Sequence, residues 1–432
     1  MLNVKRDASS RAAGPVLRDG TAVGDLVDQE RREVPMRVLS DPEIYQLELE
    51  HIFARAWVAV AHVSEIPKPG DYVLRYIGED RVIVVRTPTN DVSVLLNVCA
   101  HRGFEVCWAD AGKTTSFKCP YHGWTFDTSG HLLGAPLEKE MYGDWDKSKY
   151  GLRRARVEIR SGIVYASFDT SGGTLEEWLG PAAWYLDQNG NTDKVPLGPP
   201  MRFHVHANWK TLMDQGSGDN YHPVTLHRNL QELGLPGLPG TAGLSLKSQN
   251  HVLIGNPQGN TTFAFPPGFP TATFDVNAEN FQAFDGRLFA TVVFPASVMW
   301  GPYVYALPDG SKVQGGALWQ IEPKGPELYV MHMLDLIDAN ASEQAKDIVR
   351  HMTMFQLPFI SADDHESNLS LMRSARGAVG RQQPMRYFAQ GSTVKPKGWP
   401  GPGTVFPAPQ KDDSQWFFWN RWRQLMTEQV QT

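Results

Sequence analysis

Cys99-Ala100-His101-Arg102-Gly103 and Cys119-Pro120-Tyr121-His122-Gly123-Trp124 are the two stretches on which the reading of this chain turns. Each offers one thiol and one imidazole, first as C-x-H and then as C-x-x-H, with the seventeen residues 102–118 between the arms. Paired loops of this kind can bring two thiolates and two imidazoles to one metal centre. A glycine follows each histidine closely, Gly103 and Gly123, as tight ligand loops need. Trp124 is placed to shield such a centre. The alternative, two unrelated buried cysteines beside surface histidines, leaves the matched spacing unaccounted for. Cys107, the remaining cysteine, fits neither arm and reads as a small buried apolar residue.

Zinc is one occupant of such a set, although its knuckles more often pair like ligands. The other is a Rieske [2Fe–2S] centre, in which two histidines replace two cysteines on one iron. One Cys and one His per loop suits the two-iron cluster better. The flanking texture is β-rich from about Trp57 to Asp169. Short runs such as 81–85, 92–96 and 162–166 are punctuated by turn residues, and Asp127-Thr128-Ser129-Gly130 is a hairpin turn. A compact all-β module is expected there.

Beyond residue 175 the pattern is mixed. Strands are expected at 202–206, 288–294, 317–321 and 328–334, the last two joined as a hairpin across 323–326. Helices are expected from Asp41 with Pro42 in its first turn, over 208–221, over 342–355 and near Trp416–Leu425. Residues 1–40 read as a polar extended arm, and the Gly- and Pro-rich run 232–243 as loop. No repeat of fixed period appears.

A cluster that only passes electrons does not explain the long C-terminal portion. Asp219-Asn220-Tyr221-His222-Pro223-Val224-Thr225-Leu226-His227 does. Two His and one carboxylate with open positions opposite are the ligands of a mononuclear non-haem Fe(II) site. His222 and His227 are five apart, about 140° around a regular helix, so the helix must break or widen between them. Pro223 supplies a reason, since it lacks an N–H and disfavours α geometry before it. His204-x-His206 is a rival pair on one strand face, with no carboxylate nearby in sequence.

These motifs resemble those of the Rieske ring-hydroxylating oxygenases, in particular the large (alpha) subunit. One departure is Ala100, where many relatives carry Arg. The resemblance implies an α+β fold: an all-β Rieske domain at 56–175, and a larger catalytic domain with an antiparallel sheet flanked by helices at 176–432, joined by residues 1–55. It implies Cys99, His101, Cys119 and His122 as ligands of a [2Fe–2S] cluster. It implies His222 and His227 as ligands of a mononuclear Fe(II), with a distant carboxylate, Asp364 rather than its neighbour Asp363, as the third. Asp219 becomes a bridge between an iron-ligating His and the cluster-ligating His122 of a neighbouring subunit. Asp214-Gln215 stands where Glu-Asn is common, and Gln215, Gly216, Pro223, Phe355 and Ile360 become pocket candidates. The implied reaction inserts both atoms of O2 into an aromatic ring to give a cis-dihydrodiol. A monooxygenase or O-demethylase is the alternative, and a pure electron carrier a distant one. The implied assembly is a trimer, alpha3 or alpha3beta3 with a small beta subunit.

Composition narrows the class. The chain has 432 residues, with 41 Lys plus Arg against 47 Asp plus Glu, a net charge of −6 that gives no attraction to nucleic acid or anionic lipid. No apolar run approaches the roughly 20 residues of a membrane span, and residues 1–7 lack the apolar core of a leader, so cytoplasm is the expected location. No P-loop, dinucleotide fingerprint or nucleophile elbow is present. Electrons are therefore expected from a separate ferredoxin or reductase.

Overall fold

Runs of β-branched residues such as Val82-Ile83-Val84-Val85 build the first half of the molecule, because they fill a sheet buried on both faces. In the computed structural model, residues 14–219, 222–227, 252–265, 287–391, 399–407 and 412–428 are described. The strands Val92–Leu96, Asp80–Arg86, Asp71–Ile77 and Ala111–Lys113 form one antiparallel sheet in that order. Ser116–Lys118, Thr125–Asp127 and Leu132–Gly134 form a second, turned by an Asp127 side chain that accepts from the Ser129 N–H at 2.8 Å. Val58–His62, Ile163–Ser167 and Arg156–Arg160 form a third. Leu74, Ile83, Val85, Leu95, Phe117 and Phe126 make a core shared with Cys99, Cys119 and Trp124.

The second half is built on an antiparallel sheet of nine strands among the described residues. Lys194–Pro196 and Met201–Val205 both pair with Tyr329–Asp338. Then follow Lys312–Pro323, Ser297–Ala306, Arg287–Val293, Thr261–Phe265, Val252–Gly255 and Thr404–Pro407. The expected hairpin is present with longer arms, Lys312–Pro323 and Tyr329–Asp338. One helix of 34 residues, Glu343–Arg376, lies over this sheet. Asn368 Nδ2 donates to the Tyr329 hydroxyl at 3.2 Å, and Val349 packs with Ile337.

Two expectations are corrected here. The helix expected at 342–355 runs on to Arg376, through Pro358. A proline forfeits one backbone hydrogen bond, but the capped start at Ser342 and the packing beyond Pro358 carry the helix across it. Asp363 and Asp364 are thus inside the helix and not after it. The arm expected to be extended is packed from Leu17 onward: Leu17, Val23, Leu26, Val34, Val38 and Leu39 are buried in the same core as Trp209, Trp419 and Trp422. Residues 1–13 and the loop 232–243 lie outside the described residues. No helix among the described residues is long and apolar enough to cross a membrane.

A buried ion pair ties this core together. Helix Pro42–Glu48 ends on Glu48, whose carboxylate accepts from Lys210 Nζ at 2.6 Å, Trp209 Nε1 at 2.8 Å and Trp422 Nε1 at 2.8 Å. Both charged side chains are fully buried. The pair joins the N-terminal helix, helix Trp209–Gly216 and the C-terminal helix Asp413–Thr427. Removing one partner of such a pair strands the other charge. Lys210→Met is therefore expected to lower unfolding stability by about 3–5 kcal/mol, read by denaturant titration, with Glu48→Gln/Lys210→Met less damaging than Lys210→Met alone.

Candidate metal centres

The two thiol–imidazole loops have the same backbone. The Cys99 N–H donates to Phe104 O at 2.8 Å and the Gly103 N–H to Cys99 O at 2.9 Å; the Cys119 N–H donates to Trp124 O at 2.8 Å and the Gly123 N–H to Cys119 O at 3.0 Å. Closing each loop puts its glycine in the left-handed region, φ +72° at Gly103 and +75° at Gly123. Both thiols are buried, and they touch each other. The His101 and His122 rings stand 4.6 Å apart. Trp124 stacks on His101 at 4.9 Å with planes 7° apart, as a shield would.

The four ligand atoms discriminate between zinc and a two-iron cluster. A tetrahedral zinc ion holds its N and S donors about 3.3–3.8 Å from one another. No three atoms of this set lie within 4.8 Å of one another. Sulfur pairs with sulfur and imidazole with imidazole, and the two pairs stand apart. That is the spacing for a cluster with one sulfur-ligated and one nitrogen-ligated iron. Burial, with the Cys119 sulfur alongside, pushes the Cys99 thiol up to about 11, so a buried metal is the natural partner of its thiolate.

Among the described residues one set of three ligand atoms does converge within 4.8 Å: His222, His227 and Asp364. Asp364 Oδ1 is 3.5 Å from His222 Nε2 and 3.3 Å from His227 Nε2. The imidazoles cross at 71°, with centroids 5.1 Å apart. Local backbone makes this possible. Helix Trp209–Gly216 stops, and a single turn, His222–Thr225, starts again and ends before His227. The helix expected over 208–221 is therefore shorter. Pro223 sits inside the new turn, near its start, where a missing N–H costs nothing; the break that frees His227 follows Thr225.

Each imidazole also has a carboxylate at its far nitrogen. Asp219 Oδ1 is 3.5 Å from His222 Nδ1 and accepts from the His222 backbone N–H at 3.3 Å. Asp363 Oδ2 is 3.4 Å from His227 Nδ1. The Asp363 contact is a hydrogen bond, and it keeps the His227 proton on Nδ1 and leaves Nε2 free for a metal; His222 Nδ1 makes no hydrogen bond among the described residues, and Asp219 stands beside it as a charge. Geometry thus separates Asp364, which faces both Nε2 atoms, from Asp363, which backs one ring. Burial opposes a charge on His227, but the Asp364 and Asp363 carboxylates outweigh it and raise its pKa. Gln215 Nε2 donates to Asp364 Oδ1 at 2.7 Å, so Gln215 reaches this centre.

The remaining candidates divide. His204 and His206 are exposed and join no set of converging ligand atoms. Cys107 is half-buried and borders the cluster-domain core. Gly216 faces the Val292 side chain, which a Cβ would meet at 3.6 Å. Pro223, Phe355 and Ile360 lie in helical backbone, and their side chains fall outside the described residues. One further group had drawn no role from its sequence: Asp214. It accepts from the Tyr387 hydroxyl at 3.0 Å and Trp419 Nε1 at 2.9 Å, from partners 173 and 205 residues away. Burial, against these hydrogen bonds, pushes its carboxyl up to about 7.

Residues 56–150 match the family model of the Rieske [2Fe-2S] domain. The chain is 30% identical over 390 residues to the biphenyl dioxygenase subunit alpha of Metapseudomonas furukawaii, covering 84% of each. It is 42% identical over 226 residues to the N,N-dimethyl phenylurea N-demethylase subunit alpha of Sphingobium sp., a match that covers 50% of this chain and 49% of that one. Its fold superposes on naphthalene 1,2-dioxygenase from Rhodococcus sp. with a TM-score of 0.79 and 30% identity, covering 94% of this chain and 96% of the other. Cluster loops, converging triad and full-length likeness agree: the chain belongs to the Rieske ring-hydroxylating dioxygenases, as an alpha subunit with a [2Fe–2S] cluster and a mononuclear non-haem iron.

Proposed function

We propose that Cys99, His101, Cys119 and His122 hold the cluster, that His222, His227 and Asp364 hold the iron, and that the chain is the terminal oxygenase of a system hydroxylating an aromatic ring to a cis-dihydrodiol. The observation that carries this reading is the meeting of Asp364 Oδ1 with both Nε2 atoms. Residues 56–175 serve as the cluster domain. Residues 1–55 belong with 176–432, a division supported by the core that Ile44 and Phe53 share with Trp209 and Phe418. The expected assembly is a ring of three such chains, with or without a small beta subunit, fed by a ferredoxin or reductase.

When bound, the mononuclear iron supplies O2 activation and the cluster supplies electrons one at a time. The chain's own groups prepare that chemistry. Asp363 fixes the tautomer of His227, and Asp219 holds the His222 backbone N–H and sets a negative charge beside its ring. Gln215 ties down the shared oxygen of Asp364. Asp214, with a carboxyl titrating near 7, holds a proton close to Asp219 in a reaction that consumes protons with its electrons.

His122→Ala is expected to abolish the visible absorption of the cluster and leave the mononuclear iron bound. Iron analysis of the unaltered chain gives one iron more per chain than a cluster-only carrier holds. A cluster at full occupancy in the variant refutes the ligand assignment. The match to a phenylurea N-demethylase favours a second reading, oxidative N-dealkylation. Labelled O2 separates them: two labelled oxygens on the ring for the dioxygenase, none on the ring and released formaldehyde for the demethylase.

A further inference from the structure

Each imidazole of the proposed cluster site has an aromatic group of its own, and the two groups lead to different surfaces. Tyr121 packs on His122 with ring centroids 3.8 Å apart; Tyr121 meets Phe104 at 5.1 Å, and Phe104 meets Trp108 at 5.7 Å. His101 has Trp124 stacked on it instead. Trp124 meets Trp145 at 5.0 Å, and Trp145 meets Tyr150 at 5.1 Å. Tyr142 packs beside this file, 4.7 Å from Trp145, and its hydroxyl accepts from Trp124 Nε1 at 3.2 Å. Exposure rises along the file: Trp124 is buried, Trp145 half-buried and Tyr150 39% exposed. Among the described residues the only ring contact between the two groups is that of His101 with His122.

Polar contacts hold the outer rings of this file in place where burial does not. Glu138, at the start of helix Glu138–Tyr142, accepts from Trp145 Nε1 at 3.2 Å and pairs with Lys147 Nζ at 3.0 Å. Lys147 also donates to Leu133 O at 3.1 Å, which ties the turn Lys147–Tyr150 to strand Leu132–Gly134. The Asp146 side chain caps that turn by accepting from the Ser148 N–H at 3.1 Å. Leu133, 51% exposed, lies beside the turn, so Tyr150 and Leu133 form a small apolar spot at the surface. The charges around it are paired, Lys147 with Glu138 and Lys149 with Asp146. A spot of this size suits the brief encounter of an electron-transfer partner and not a permanent subunit contact. Tunnelling through packed atoms decays less steeply than across a gap or through water, so a fixed file of rings from a ligand imidazole to the surface favours transfer along it.

We infer that electrons enter the cluster on the His101 side, from an iron–sulfur donor protein seated on Tyr150 and Leu133, and leave it on the His122 side. In each passage one electron leaves the reduced donor, which is oxidised by one, and turns one ferric ion of the cluster ferrous. The rings of Tyr150, Trp145 and Trp124 only shorten the gap; they are neither oxidised nor reduced, and no bond to them forms or breaks. Two separate faces let the donor come and go while the His122 side stays engaged with its acceptor.

The inference rests on the cluster assignment proposed above, and the visible spectrum of the loaded full chain separates the two. Lys149→Cys, beside Tyr150, and Ala109→Cys, beside Trp108, are each made in a Cys107→Ala background and tagged with a photoexcitable ruthenium reductant. Bleaching of the cluster after a flash gives the rate of electron arrival from each side. Tyr150→Leu and Trp145→Leu are expected to slow arrival from the tag at 149 severalfold. Arrival from the tag at 109 and the midpoint potential of the cluster are expected to stay as they are. Tyr150→Phe, which keeps the ring, is expected to retain the rate. A second arm mixes reduced [2Fe–2S] ferredoxin with the untagged full chain in stopped flow. Leu133→Glu, which sets an unpaired charge in the contact, is expected to lower that second-order rate about tenfold and to leave arrival from the tag at 149 unchanged. Arrival from 149 that ignores both leucine substitutions, or that slows equally from both tags, overturns the route. Equal reduction of the unaltered chain and Leu133→Glu by ferredoxin overturns the docking face, and no reduction of the unaltered chain overturns the choice of an iron–sulfur donor. An unaltered chain that takes up no visible cluster overturns the cluster assignment, and this inference with it.

Discussion

His227→Ala is expected to empty the mononuclear site, keep a reducible cluster and bring oxygenation to background. His227 is the buried member of the triad, and both of its nitrogens face carboxylates, Asp364 at 3.3 Å and Asp363 at 3.4 Å. Alanine removes the metal-facing nitrogen and leaves two helix-borne acids adjacent with no imidazole between them. With only two protein ligands left, the site is expected to lose its Fe(II). Iron analysis reads the loss directly, and the cluster's visible spectrum reports that the fold and the other centre survive. His222→Ala is expected to do the same. Retained iron and turnover in either variant would revive the exposed pair His204 and His206 as the metal site.

The parts of this protein that were legible in its sequence are those whose partners are close in the chain. C-x-H and C-x-x-H each close on a backbone loop of six residues, 99–104 and 119–124, so spacing alone carried the cluster assignment. His222 and His227 were legible for the same reason. Asp364 was not: its helix position means nothing until the sheet brings it to the two histidines, and only the family resemblance reached it. The helix expected over 342–355 runs on past Pro358 to Arg376 for a physical reason. A proline ends a helix when nothing else holds the next turn, and here Met372 and Ala375, buried in the main core, hold it. The N-terminal arm misled because its apolar residues are sparse and follow no single period; long-range partners such as Trp419 and Trp422 bury them. Asp214 was hidden likewise, since both of its donors come from the C-terminal portion.

Mixing inactive chains tests the remaining link, between cluster and iron. His122→Ala chains carry an intact triad and no cluster; His222→Ala chains carry a cluster and no triad. The cluster loops end on apolar surface that the chain itself leaves uncovered: Tyr121 is 55% exposed, Trp108 60%, Leu137 67% and Met141 63%. An apolar patch of that kind marks an interface. A head-to-tail ring closes by setting this tip of one subunit against a different face of the next, and Asp219, half-buried beside His222, is the carboxylate proposed to receive it. If electrons cross between neighbours, co-assembled chains recover turnover. With equal, random mixing, half of the donors and half of the acceptors are intact, so recovery approaches about a quarter of the unaltered rate per chain. Asp219→Asn then assigns the bridge. Placed on the His122→Ala chain, which accepts the electron, it is expected to abolish the recovered turnover while iron and cluster stay at full occupancy. Placed on the His222→Ala chain, which only donates, it is expected to change nothing. Equal loss from both placements would make Asp219 a structural residue, and verified mixing with no recovery at all would confine electron transfer to a single chain.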